Sequence, residues 1–165
     1  MNQDSDSHTS TSTPPENSIE VSIQDAQPPS SLVAIEAFCH EALTSLAVTG
    51  WEVSILFCDD TQIAVLNETY RGKTGATDVL SFSQEENPPH TPADFYYAGD
   101  IVISVPALLR NATEYGFEPH EELARLLVHG LLHLAGYDHE GDDPAQEMLV
   151  LQEQILLDTH VEILG

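Results

Sequence analysis

Basic residues are nearly absent from this 165-residue chain: four Lys and Arg stand against 28 Asp and Glu, a formal net charge of −24. A polybasic binder of nucleic acid or of anionic membrane is thereby excluded as the simple reading, because such binding rests on clustered cations. Only Arg71, Lys73, Arg110 and Arg125 are available, so an anionic ligand must be held at one place by few groups. Cysteine is scarce too. Cys39 and Cys58 lie outside any C-x-x-C spacing, which points to buried free thiols rather than a bridge or a metal pair and agrees with a reducing cytoplasm. No uninterrupted apolar stretch reaches the roughly 18 residues of a membrane span. The first charged residues, Asp4 and Asp6, are acidic and precede no apolar segment, so no targeting signal is expected.

What is present is a globular composition, 41% hydrophobic, in a length suited to one domain. Residues 1–17 are the exception. They are rich in Ser, Thr, Asp and Pro, with Met1 their one hydrophobic residue, and read as a disordered tail ahead of a single domain over 18–165. Because 25 of the 28 acids lie outside that tail, the charge belongs to the folded body, and adaptation of its surface to a salty cytoplasm is the expectation.

Alternation of apolar and polar residues predicts strands at Ile19–Ile23, Trp51–Cys58, Asp78–Ser83 and Gly99–Ser104. Helical spacing predicts helices at Leu32–Leu46, Asp60–Tyr70, Val105–Tyr115, Pro119–Ala135 and Pro144–Asp158, with a Pro- and acid-rich loop over Gln84–Asp94. The class is α+β: a small four-stranded mixed sheet packed against about five helices.

Three of the eight histidines fall in the segment H-G-L-L-H-L-A-G-Y-D-H, as His129, His133 and His139. Four-residue spacing on a helix puts His129 and His133 on one face, within reach of one ion at about 2.0–2.1 Å. Gly136 can end the helix and bring His139 round as a third ligand. Three imidazoles that leave a fourth position to water make the donor set of a catalytic zinc site. One zinc ion per chain is expected, although such donors also accept Ni, Co or Cu. The spacing matches the long signature of zincin proteases, H-E-x-x-H-x-x-G-x-x-H, except that Gly130 stands where the general-base glutamate would be. Peptide hydrolysis by that route is therefore not expected.

The histidine segment resembles the signature of the YbeY family of single-strand-specific endoribonucleases. Two further blocks agree with it: Leu66-Asn67-x-x-Tyr70-Arg71-x-Lys73 followed by Thr77-Asp78-Val79-Leu80-Ser81-Phe82, and Gly99-Asp100-Ile101-x-Ile103-Ser104. The likeness covers about residues 50–158, and departs from the family at Thr74, Gly75 and Ala76. It implies an α+β fold, a single metal that is generally zinc, and a role in ribosomal RNA maturation and ribosome quality control. The implied partners are single-stranded rRNA or its precursors and the ribosomal subunit with its associated proteins, without membrane or DNA.

Phosphodiester cleavage needs positive charge opposite the charge that develops on the phosphoryl oxygens. Arg71 is the candidate for that catalytic role, which the resemblance supports, and Lys73 is a candidate phosphate contact. Asp138 could accept an imidazole proton or assist proton transfer. Arg125 is expected to pair with Glu121 four residues earlier, Asp78 and Asp100 to serve structural hydrogen bonds at strand starts, and Ser81 and Phe82 to line or support the cleft. Two alternatives stand beside this reading, a ribosome-assembly binding factor with a structural metal and a zincin-like metallohydrolase.

Overall fold

The computed structural model of the chain describes residues 16–84, 96–137 and 142–165. Residues 1–15 of the expected tail and all but the first residue of the expected loop fall outside that set. Asn17, grouped with the tail by composition, is instead tied to the body: its amide donates to the Val48 carbonyl at 2.8 Å and its oxygen accepts from the Trp51 backbone at 2.9 Å.

Four strands are formed: β1 (Ser18–Ile23), β2 (Trp51–Cys58), β3 (Val79–Ser83) and β4 (Tyr96–Ser104). The helices are α1 (Leu32–Ser45), α2 (Asp60–Arg71), α3 (Val105–Tyr115), α4 (Pro119–Leu134) and α5 (Asp142–Asp158), followed by a short 3₁₀ turn at Val161–Leu164. The strand order is β1-β2-β4-β3, with β1, β2 and β4 parallel and β3 antiparallel to β4. The expected α+β domain with a four-stranded mixed sheet and five helices is thus the fold observed.

Local chemistry explains the helix starts. Ser31, Asp59 and Ser104 each accept a backbone N–H of the first turn through the side chain, which satisfies donors the helix itself cannot. Glu118 and Glu121 form a reciprocal capping box at the start of α4. That box corrects the expected Arg125–Glu121 pair. Glu121 spends its carboxylate on the Glu118 N–H at 2.8 Å, while Arg125 reaches across to Glu153 of α5 at 2.8 Å and lies over the Phe117 ring.

The inner face of the sheet packs Val53, Ile55 and Phe57 of β2 and Ile101 and Ile103 of β4 against Phe38 of α1 and Leu123, Leu127 and Leu131 of α4. The outer face carries a smaller cluster in which Ile63 of α2 covers Cys58, Leu80 and Val102. Both cysteines are free and buried, and desolvation pushes the Cys39 thiol up to about 12 and the Cys58 thiol to about 11. They remain thiols at neutral pH.

Strand β4 is longer than its alternation suggests, because the alternation breaks. Tyr96 and Ala98 face the inner core, then Ile101 and Ile103 do, so the phase slips by one at Gly99, where the β2–β4 register also shifts. Asp100 consequently lies in mid-strand rather than at a strand start, with its carboxylate accepting the Tyr97 hydroxyl at 2.6 Å. Gly99 has φ +144, and a Cβ there would lie 2.1 Å from the Phe82 backbone oxygen. Gly99→Ala is expected to destabilise the fold by about 3 kcal/mol, since strain and overpacking add and the nearest atom belongs to strand backbone rather than to a flexible side chain. In a thermal melt this corresponds to a fall of roughly 6–12 °C, and an unchanged midpoint would contradict the bulge.

Candidate metal centre and cationic cleft

The site is assembled from three segments: the end of α2 with the loop after it, strand β3, and the last turns of α4. Helix α2 ends at Arg71, in the turn where a cation meets the negative end of the helix dipole, and the chain reverses at Gly72. Buried Asn67 then holds the loop. Its side-chain amide donates to the Gly75 carbonyl at 2.9 Å and its backbone carbonyl accepts the Lys73 N–H at 3.3 Å. A cleft of about 580 Å³ opens beside this loop, and Arg71, Lys73, Asp78, Ser81, His129 and His133 all line it. Residues 62 positions apart in sequence, Arg71 and His133, are thereby brought to one surface. Ser81 lines the cleft as expected and its hydroxyl lies 3.4 Å from the Gly130 carbonyl. Phe82 does not, because strand alternation turns it to the outer face, where its ring meets Tyr70 edge-on at 5.5 Å.

His129 and His133 project from one face of α4 with their Nε2 atoms 3.2 Å apart. Two nitrogens bound to one tetrahedral ion at about 2.0–2.1 Å stand about 3.3–3.4 Å apart, so the pair fits such an ion with little adjustment. Gly136 has φ +101, the left-handed turn expected after the helix. The third expected ligand, His139, and its neighbour Asp138 lie outside the described residues. Among the described residues, no group of three His, Cys, Asp or Glu is placed to hold a metal.

Gln152 of α5 is a residue of the site that the sequence reading passed over. It is buried, and its Oε1 lies 3.0 Å from His129 Nδ1, so it accepts the Nδ1 proton and leaves the Nε2 lone pair facing His133. No spacing signal marks it, since the contact joins two helices 23 residues apart. Removing such a partner typically costs 10–100-fold in metal affinity. Gln152→Ala is expected to weaken zinc binding by that factor in a chelator competition, and Gln152→Glu, which keeps an acceptor, to restore it. Equal affinity in all three proteins would remove Gln152 from the site.

The distribution of the cations sharpens the electrostatics. Arg110 is paired with Asp60 at 2.8 Å, an interaction that lowers the Asp60 pKa and raises that of Arg110, and Arg125 is paired with Glu153. Among the described residues, no ion pair engages Arg71 or Lys73, the two cations at the cleft. Asp78 lies on the cleft wall, and its carboxylate accepts from the Asn111 amide at 3.0 Å, in keeping with a structural role. His160 pairs with Glu41 at 3.1 Å, and neither residue lines the cleft.

The site is thus a pair of imidazoles on one helix and a cationic loop across a shared cleft, in a single α+β domain. The family model described as Endoribonuclease YbeY matches residues 18–160, and the chain belongs to that family. A relative from Treponema denticola named Endoribonuclease YbeY is 47% identical over 144 residues, covering 86% of this chain and 92% of the relative. One of the same name from Moorella thermoacetica is 50% identical over 113 residues, covering 64% and 70%. The fold is similar to a solution structure of a Thermotoga maritima protein, with a TM-score of 0.59 and 24% identity over 85% of this chain and 87% of that one.

Proposed function

We propose that this protein is a metal-dependent endoribonuclease that cuts single-stranded ribosomal RNA or its precursors, in rRNA maturation and ribosome quality control. The observation that carries the proposal is the meeting of His129, His133, Arg71 and Lys73 in one cleft, with both cations outside any ion pair among the described residues. Family membership supports the same reading.

His129 and His133, with His139 as the third donor, would hold one zinc ion per chain. When bound, such an ion supplies Lewis acidity at a phosphodiester. Gln152 keeps His129 in the tautomer that can donate to it. Arg71 presents a planar fork to phosphoryl oxygens and offsets the charge that develops on them, while Lys73 adds a point charge for a neighbouring phosphate. Single strands fit a short cationic patch better than duplex, which calls for contacts along a longer backbone. The remaining acidic surface disfavours nonspecific RNA and DNA alike. Ribosomal particles and their proteins are the proposed partners and the cytoplasm the proposed location. No described helix is long and apolar enough to cross a membrane.

Arg71→Ala tests the proposal. Loss of one charge-stabilising donor typically costs 10²–10³ in rate. Cleavage of a single-stranded RNA by the zinc-loaded variant is expected to fall by that factor with zinc stoichiometry unchanged. Wild-type cleavage by the variant would overturn the assignment of Arg71. Full rescue of cells by a cleavage-dead protein would instead favour the binding-factor reading.

A further inference from the structure

A second cavity, of about 470 Å³, adjoins the cleft and shares His129, Asp78 and Val79 with it. Its other walls come from Asn111 and Tyr115 of α3, Phe117, Glu122 of α4 and Gln152 of α5. We propose that this cavity takes one nucleobase of the bound strand, from a nucleotide whose phosphate lies in the cleft. The inference rests on the ribonuclease reading above and adds a subsite to it.

Charge selects the occupant. Asp78 and Glu122 put two carboxylates on the wall, and Arg125, which also lines the cavity, is committed to Glu153 at 2.8 Å. An anion is therefore excluded from this cavity, whereas the neighbouring cleft with Arg71 and Lys73 suits one. A neutral, flat, partly polar group fits the second cavity, and on a nucleotide that group is the base.

The walls offer what a base needs. Tyr115 is 60% exposed and Phe117 37% exposed, so both rings present aromatic surface that the core does not use. The Arg125 guanidinium lies 5.2 Å from the Phe117 ring centroid and holds the ring from one side. Stacking on such rings is tolerant of sequence and contributes enough per base to matter. The polar groups are more selective. The Asn111 amide donates to Asp78 at 3.0 Å and to Glu122 at 3.2 Å, which leaves acceptors, the carboxylate oxygens and the Asn111 carbonyl, to meet a ligand. Carboxylate acceptors favour guanine, adenine and cytosine, which present an exocyclic amino group, over uracil, whose one base-edge donor, N3–H, is flanked by two carbonyl oxygens that the carboxylates repel.

The test is a cycle between base and ring. Single-stranded 2′-O-methyl oligonucleotides, each lacking one base, are bound to zinc-loaded wild type, Tyr115→Ala and Tyr115→Phe, with affinity read by fluorescence anisotropy. At one position, removing the base is expected to weaken wild type and Tyr115→Phe about tenfold and Tyr115→Ala less than about twofold, as one lost stack implies. At that position uracil should bind more weakly than the other three bases. Wild type that cleaves RNA but shows no such position, or loses affinity equally with Tyr115→Ala at every position, would overturn the base pocket and leave the nuclease standing. Protein that neither binds nor cleaves RNA would overturn both.

Discussion

Replacing His133 with Ala is expected to abolish zinc retention and to lower cleavage of single-stranded RNA by at least about 10³-fold, while the protein stays folded. Losing a ligand should cost more than losing a ligand's hydrogen-bond partner, which already amounts to 10–100-fold in metal affinity. The Nε2 pair at 3.2 Å is the described half of the proposed three-histidine donor set, and without His133 that pair is broken and only two of the three proposed donors remain. The fold has little to lose. His133 is half-buried at the cleft, and Ala is the best helix former at its position in α4. Circular dichroism should therefore report a near-normal helix content and elemental analysis an empty protein. A variant that retained zinc and activity would remove His133 from the centre.

Gly130→Glu is expected to do the reverse, damaging the fold without creating a peptidase. The substitution would write the zincin signature into the chain, yet position 130 faces the sheet. A Cβ there would lie 2.9 Å from both Ile101 Cδ1 and Cγ2, so α4 sits on β4 with no room for a side chain. A carboxylate at this buried position would also be desolvated without a partner, and the combined cost is about 4 kcal/mol or more. For a chain of this size that is a loss of roughly 8–16 °C in melting temperature. Gly130 is thus a packing residue, and the missing glutamate follows from how closely the metal-bearing helix approaches the sheet. A folded variant with an unchanged melting temperature would contradict this.

Much of the fold was legible because its signals are local. Apolar alternation gave β2 its bounds, Trp51–Cys58, and capping side chains with glycine stops bracket α2 and α3. The start of β4 was hidden, since the bulge at Gly99 inverts the alternation that marks a strand. The strand order β1-β2-β4-β3 was hidden as well, because pairing between distant strands leaves no periodic trace in sequence. At the site the same division holds. His129 and His133 share a helix and announce themselves by spacing, whereas Gln152, the Arg125–Glu153 pair and the Asn111 bridge depend on how helices meet. Net charge gave the least direct information. With Arg110 and Arg125 engaged in ion pairs, the two cations at the cleft concentrate the useful positive charge there, so −24 describes the surface rather than the site.

The most direct measurement is a zinc titration of chelator-treated protein, with bound metal and cleavage of a single-stranded RNA recorded on the same samples. The expected result is cleavage that rises in step with zinc and breaks at one ion per chain in wild type, with Arg71→Ala binding the same one ion and remaining largely inactive. Full cleavage by the chelator-treated protein, or equal cleavage by wild type and Arg71→Ala, would contradict a catalytic centre built from the helix histidines and the cationic loop.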